Sequence, residues 1–427
     1  MLAARASAAR SASRIARNAR KFATVVDSAG VKVAAADNGE PTTAVTFLVK
    51  AGSRYEPKPG VAHALKNYAF KSTDKRSFLG TVREAELYGG VLSSSLSREH
   101  LALTAEFLRG DEAFFVDVLS SFLTSAKFTR YELTETVGPV CEAESTAALH
   151  DPATHALELA HALAFRNGLG NSIFATPGHH VTAEDVKAFA QSVFGAGNVA
   201  VLGTGIEAGA LEQLLQKSLG KFSSSASPSS TPSSYFGGES RIGAHHGPQT
   251  VFVGFGTAGA PAPELAVLAS HLDPTPSVKW SQGTSPIAAS VPAGTSVRPV
   301  LLPYSDASLF GLLVQGQTTA DVKTAAKAAV DALKTAGSLK GEELQKAVAK
   351  AKFSAASAFD VRDGLVSTVG PKILSGSPAS ITDAISALEK VDASAYSKAA
   401  SSLLKSKPTF VAVGDIASLP YADELGL

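Results

Sequence analysis

The chain has 427 residues, 45% of them hydrophobic, which is typical of a globular protein. Chains of this length form about two or three domains, each with its own core. No stretch approaches the roughly 18 to 20 consecutive apolar residues that a membrane-spanning helix needs, so no transmembrane segment is predicted. Cys141 is the only cysteine, which excludes an intrachain disulfide, and its surroundings predict a small buried residue.

The N-terminal segment is basic and amphipathic. Its six basic residues all precede the first acidic residue, Asp27. An Arg-, Ala- and Ser-rich helix without acids is typical of a mitochondrial presequence. We therefore predict a presequence over residues 1–22, cleaved between Phe22 and Ala23. Without these six, 33 of the 39 basic residues remain against 38 acidic ones, so the body is slightly acidic and no nucleic-acid partner is predicted.

Residues 60–73 have the spacing of a zinc-peptidase helix with altered chemistry. An inverted zinc site has the motif H-x-x-E-H, in which two histidines bind the metal and the glutamate is the general base. The corresponding positions here are His63, Lys66 and Asn67. These side chains share one face of a helix. Lys66 would repel a metal ion and could not accept a proton while charged, and the Asn67 amide is a poor zinc ligand.

A third ligand in such sites is a distant glutamate. Glu142 and Glu144 follow Asn67 by 75 and 77 residues, and either could reach the same pocket. With one histidine and one glutamate at most, the sequence predicts a degenerate site without catalytic residues, bound metal or cofactor. Glu142 and Glu144 are then former third-ligand positions.

The sequence around this helix resembles the pitrilysin-type (inverzincin, M16) peptidase family in order and spacing. The matching phrases are Ala51-Gly-Ser-Arg-Tyr-Glu56, Ala69-Phe-Lys-Ser-Thr73, Glu84-Ala-Glu-Leu-Tyr-Gly-Gly90 and Ser93-Ser-Ser-Leu-Ser-Arg-Glu-His-Leu-Ala102. The match is best with the non-catalytic relatives and extends over essentially the whole mature chain.

Two halves of the chain are similar to each other. Residues 181–194 align with 391–404 at a shift of 210, and the strand at 44–52 aligns with 250–258. Each half has strands, then helices, then a closing strand, which favours an α+β fold of two homologous domains, each a mostly antiparallel sheet with helices packed on one side. We predict domains over 23–220 and 248–427. A Ser/Pro-rich linker over 221–247 joins them.

The second half offers no metal-ligand motif and differs from the relatives that present substrates. Its opening helix, 261–272, has one histidine and no ligand spacing, and residues 272–283 are rich in Pro and Ser where substrate-presenting relatives have a glycine-rich loop. The resemblance therefore implies a structural subunit of the respiratory cytochrome bc1 complex, peripheral on the matrix side of the mitochondrial inner membrane. It also implies pairing with a core protein of the same family, in a dimeric complex that can join respiratory supercomplexes. Two alternatives stay open: the non-catalytic substrate-recognition subunit of the mitochondrial processing peptidase, and an active zinc metallopeptidase with other ligands.

Overall fold

The structure is a computed structural model. It describes residues 26–28, 30–176, 178, 180–220, 222, 228–276, 285–375 and 380–427. The predicted presequence and its cleavage between Phe22 and Ala23 lie outside the described residues. So do residues 223–227 of the predicted linker and residues 277–283 of the Pro/Ser-rich loop.

The described strands form two sheets with the same strand order. The first contains β1 (Val26–Ser28), β2 (Val31–Ala36), β3 (Thr42–Val49), β4 (Val91–Leu96), β5 (Leu101–Leu108) and β6 (Val199–Thr204). The second contains β7 (Gly238–Gly243), β8 (Gln249–Ala258), β9 (Ser296–Pro303), β10 (Ala307–Gly316) and β11 (Thr409–Gly414). Their orders are β1-β2-β6-β3-β5-β4 and β7-β11-β8-β10-β9. Apart from β1, each strand of one sheet has a counterpart in the other.

Pairing in both sheets is antiparallel except at one matching position. The β2–β6 and β7–β11 pairs are parallel, and every other pair of named strands is antiparallel. The predicted α+β fold of two homologous, mostly antiparallel units is therefore confirmed. The exact boundaries at residues 220 and 248 stay predictions.

Helices follow the strands in each half. Those of the first half are α1 (Val61–Asn67), α2 (Phe78–Leu87), α3 (Glu112–Ser125), α4 (Arg130–Glu132), α5 (Gly138–His150), α6 (Pro152–Phe165), α7 (Ala183–Val193) and α8 (Ala208–Leu219). Those of the second half are α9 (Pro263–Leu272), α10 (Thr319–Ala336), α11 (Glu342–Asp360), α12 (Arg362–Ser375), α13 (Ile381–Glu389) and α14 (Ala393–Lys405). No helix among the described residues is both long and apolar enough to cross a membrane.

Each sheet packs one face against helices of its own half. In β3, Val45, Phe47 and Val49 point into the first core, together with side chains of α1, α3, α7 and α8. In β8, Val251 and Phe255 point into the second core with α9, α10 and α14. Because side chains alternate across a strand, the residues between them face the opposite side of each sheet.

That opposite face is covered by a helix from the other half. Helix α12 packs on β2, β6 and β3 of the first sheet, where Gly370 allows close contact: a Cβ there would lie 2.6 Å from Leu48 Cδ2. Helix α6 packs on β11, β8, β7 and β10 of the second sheet. Three buried alanines, Ala156, Ala160 and Ala164, give α6 a narrow side. The two halves therefore exchange equivalent helices and bury each other's sheets.

Candidate functional site

Helix α1 starts close to neighbouring backbone. Gly60, at its N-cap, has a φ of +87°, a conformation that glycine adopts readily. Glu56 closes this end because its Oε2 accepts hydrogen bonds from the amides of Gly60 and Ala62, both at 3.1 Å. Burial raises the pKa of Glu56 to about 7, against the lowering effect of these hydrogen bonds. The helix is thereby fixed with His63 facing inward, where it is 3% exposed.

The helix opposite α1 contains a π-helical turn, Leu133–Val137, between α4 and α5. Pro139 follows it, and a proline inside a helix lacks an N–H and clashes with the carbonyl four residues earlier. A wider turn accommodates this clash and adds a residue to the helical register. After it, Cys141 is buried and Glu144 is directed at α1, whereas Glu142 is exposed.

Glu144 accepts hydrogen bonds from all three motif positions, the retained His63 and the altered Lys66 and Asn67. Its Oε2 lies 2.7 Å from His63 Nε2 and 2.9 Å from Asn67 Nδ2, and its Oε1 lies 2.5 Å from Lys66 Nζ. Burial would raise the pKa of Glu144, but the hydrogen bonds from Lys66, Asn67 and His63 outweigh it and lower the pKa to about 2. Glu144 is therefore an ionised carboxylate that links α1 to α5.

His63 is hydrogen-bonded at both ring nitrogens. Its Nδ1 lies 3.0 Å from the backbone nitrogen of Ala175, and its ring contacts Phe174 edge-on with centroids 5.6 Å apart. Burial lowers the pKa of His63, although the neighbouring Glu144 acts in the opposite direction. The ring is thus a neutral imidazole in a closed site.

These residues do not fit a zinc ion. A catalytic zinc takes three protein ligands and keeps a position for water. Here the donors near His63 are one carboxylate already bound to an ammonium, one amide, and the thiol of Cys141, whose pKa is raised by burial. In the part of the chain that the structure describes, no group of three or more His, Cys, Asp or Glu side chains is arranged to hold a metal ion.

Of the residues singled out from sequence, the structure brings together His63, Lys66, Asn67 and Glu144. It leaves Glu142 exposed and away from them.

A second buried polar cluster lies next to α1 and was not predicted from the sequence. Arg54, with 4% of its side chain exposed, makes a bidentate pair with Asp306 at 2.7 Å and binds Glu99 at 2.8 Å. Its Nε donates to Ser230 Oγ at 2.7 Å and its Nη2 to the Thr231 carbonyl at 3.3 Å. One side chain therefore joins the first half, the connecting segment and the second half. Arg54 and Glu99 both lie in the sequence segments that resemble the M16 family, and this resemblance could have drawn attention to them.

Comparison with known proteins identifies relatives over nearly the whole chain. The profile of the insulinase family (peptidase family M16) matches residues 32–177. The mitochondrial cytochrome b-c1 complex subunit 2 of Cryptococcus neoformans is 47% identical over 96% of this chain and 95% of its own length. Subunits of the same name from Yarrowia lipolytica and Homo sapiens are 39% and 30% identical, over 96% and 93% of this chain and 98% and 90% of their own lengths.

Proposed function

The chain belongs to the family of mitochondrial cytochrome b-c1 complex subunit 2, and on that basis we propose that it is the structural, non-catalytic core protein 2 of complex III. Its relatives carry this name in fungi and in mammals. In this role it scaffolds assembly and stabilises the dimeric complex, and it supports electron transfer from ubiquinol to cytochrome c only indirectly. It binds no haem, quinone or metal of its own.

The contact between Lys66 and Glu144 carries the non-catalytic part of the proposal. A zinc hydrolase needs a base beside the metal-bound water. The side chain at this position is an ammonium whose nitrogen lies 2.5 Å from the Glu144 carboxylate that also contacts His63. The Lys66 ammonium therefore stands where the general base would be, and its positive charge neutralises Glu144 as a metal ion would. On this proposal His63, Lys66, Asn67 and Glu144 are a degenerate site with a packing role, and Glu142 has no part in it.

We place the subunit on the matrix side of the inner membrane, bound to core protein 1 and to other subunits of the complex. The basic N-terminal segment and the relatives' mitochondrial names support this location. Exposed apolar side chains support contact with partners, because large exposed apolar patches mark interaction surfaces. Leu79, Leu87 and Val91 are 55%, 82% and 63% exposed and lie within one short stretch of the chain. Residues 23–220 and 248–427 would be the two domains, joined by 221–247.

The proposal is tested on mitochondria solubilised in mild detergent. We expect the chain to migrate with b- and c-type haem. Alkaline carbonate should release it from the membranes, as it releases peripheral proteins, and the N-terminus of the mature chain should lie near Ala23. Migration in a haem-free, two-subunit complex with presequence-cleaving activity would instead support the processing-peptidase alternative. Purified complex with chelator-sensitive peptidase activity, abolished by Glu144→Gln but not by Glu142→Gln, would overturn the non-catalytic proposal.

A further inference from the structure

We propose that the backbone amide of Ala175 fixes His63 in the tautomer protonated at Nε2, and that this blocks metal binding independently of Lys66 and Asn67. The inference deepens the proposed non-catalytic function and rests on it. It adds a cause of inactivity that lies outside the motif, in a residue 112 positions further along the chain.

The tautomer follows from the two partners of the ring. A backbone amide nitrogen can only donate, so His63 Nδ1, 3.0 Å from the nitrogen of Ala175, must accept. In a neutral imidazole the proton is then on Nε2. An ionised carboxylate can only accept, so Glu144 Oε2, 2.7 Å from Nε2, requires the same proton position. Two neighbours on opposite sides of the ring therefore select one tautomer.

Zinc binding needs the opposite arrangement. A neutral histidine that binds a metal through Nε2 uses the lone pair of that nitrogen, and its proton is on Nδ1. In zinc sites this Nδ1–H donates to a carbonyl or carboxylate, which orients the ring. At His63 the proton would point at another N–H instead. Binding a metal would therefore break the contact with Ala175 and leave two donors facing each other in a buried place.

The amide reaches His63 because the chain passes very close to the start of α1. A Cβ on Gly60 would lie 2.9 Å from the Cβ of Ala175, so the approach depends on glycine at this N-cap. Phe174 covers the ring edge-on, and only 3% of His63 is exposed. A rotation of the ring by half a turn would give up both hydrogen bonds, so the tautomer and the ring orientation are fixed together.

On this proposal, hydrogen bonds join α1 to α5 where a zinc peptidase would use a metal ion. Glu144 is satisfied by His63 Nε2–H and by the Lys66 ammonium, and both are supplied by α1. Restoring the two motif residues alone would leave His63 with the wrong polarity.

The first test reads the tautomer of the unaltered protein. The full chain is labelled with ¹⁵N-histidine, and the His63 resonances are assigned by comparison with His63→Gln. We expect long-range ¹H–¹⁵N spectra at neutral pH to show protonated Nε2 and unprotonated Nδ1. A proton on Nδ1, a doubly protonated ring, or averaging between the two tautomers would overturn the proposal.

The second test uses zinc itself as the probe. Lys66→Glu/Asn67→His restores the motif, and it is compared with the same chain carrying Ala175→Pro, which removes the amide proton, or Ala175→Gly, which keeps it. We expect Ala175→Pro to tighten zinc binding by roughly 10- to 100-fold, the usual effect of a hydrogen-bond partner behind a metal ligand, and Ala175→Gly to leave it unchanged. Equal affinity in all three folded variants would refute the inference. If the proline variant does not fold, the tautomer measurement alone decides.

Discussion

Replacing Arg54 by methionine is predicted to destabilise the whole chain, because this guanidinium is a buried link between its two halves. The substitution keeps an unbranched side chain and removes the charge and every hydrogen bond. It deprives Asp306 of its bidentate partner and Glu99 of the guanidinium that it contacts. Ser230 and Thr231 of the connecting segment lose their donor as well.

The expected size follows from the burial of the partners. Glu99 is 6% exposed, and among the described residues it would keep the amide and hydroxyl of Ser305 as hydrogen-bond donors, at 3.0 and 2.5 Å. Leaving one member of a buried ion pair uncompensated costs about 3–5 kcal/mol. Asp306 is 32% exposed, so water would partly replace Arg54 there. We therefore expect a loss of about 3 kcal/mol, a large share of the roughly 5–15 kcal/mol by which proteins are stable.

The measurement is urea unfolding of the full chain, with Arg109→Met as the matched control. Arg109 also makes a bidentate pair, with Asp37, but on the surface, so its removal should leave the midpoint unchanged. Adding Glu99→Gln to Arg54→Met should recover part of the loss, because the stranded carboxylate becomes neutral. Equal midpoints for Arg54→Met and Arg109→Met would refute the assignment of Arg54 as a buried link.

Three further substitutions test other parts of the structure. Gly370→Leu should cost about 1–3 kcal/mol and loosen α12, because its Cβ alone would come within 2.6 Å of Leu48; urea unfolding and limited proteolysis measure this. Burial holds the pKa of His161 well below its ordinary value, so the unfolded chain takes up a proton that the folded one does not, and stability falls as pH drops below about 6.5. His161→Gln should flatten that slope, by at most about 1.4 kcal/mol per pH unit, in melts between pH 7 and 5. Lys66→Met should destabilise by about 1 kcal/mol, since Glu144 loses its cation at a partly exposed site, and Glu144→Gln in the same chain should reduce the loss in a double-mutant cycle.

Controls and contrary outcomes are specific to each substitution. Gly209→Leu is the control for Gly370→Leu, because both replace a helical glycine but nothing lies within 4 Å of a new Cβ at Gly209 on α8. Equal effects of the two substitutions on stability would contradict tight packing of α12. An unchanged pH slope in His161→Gln would mean that His161 does not titrate differently in the two states. A gain in stability from Lys66→Met would show that the ammonium does not hold Glu144.

The motif positions could be predicted from sequence because helical spacing alone puts His63 and Asn67 on one face. The choice between Glu142 and Glu144 could not. Two residues two apart point to opposite sides of a helix, so the choice depends on helical phase, and the π-helical turn before Pro139 shifts that phase. Pro139 was a visible signal, but the extra residue it introduces depends on how the local backbone relaxes.

The duplicated sheets were predictable for a similar reason, and the exchanged helices were not. Residue patterns report which side of a helix is buried, but not which sheet buries it. Strand β3 gives an indication that both faces of the sheet are covered. Its residues 43–49 are all buried, including Thr43 and Thr46. A half-exposed antiparallel strand alternates apolar and polar residues, so such a run requires cover on both faces. The helices of one half cover one face, and the second cover had to come from elsewhere.

The contact between the halves and the cluster of His63, Lys66, Asn67 and Glu144 belong to one continuous structure. Arg54 is held by Asp306 of the second half, and two residues later Glu56 closes the N-terminus of α1. That helix in turn directs His63 at Glu144. The helix that carries His63, Lys66 and Asn67 is therefore fixed in part by the opposite half of the chain. The framework of this site therefore depends on buried ion pairs and on helices exchanged between the halves.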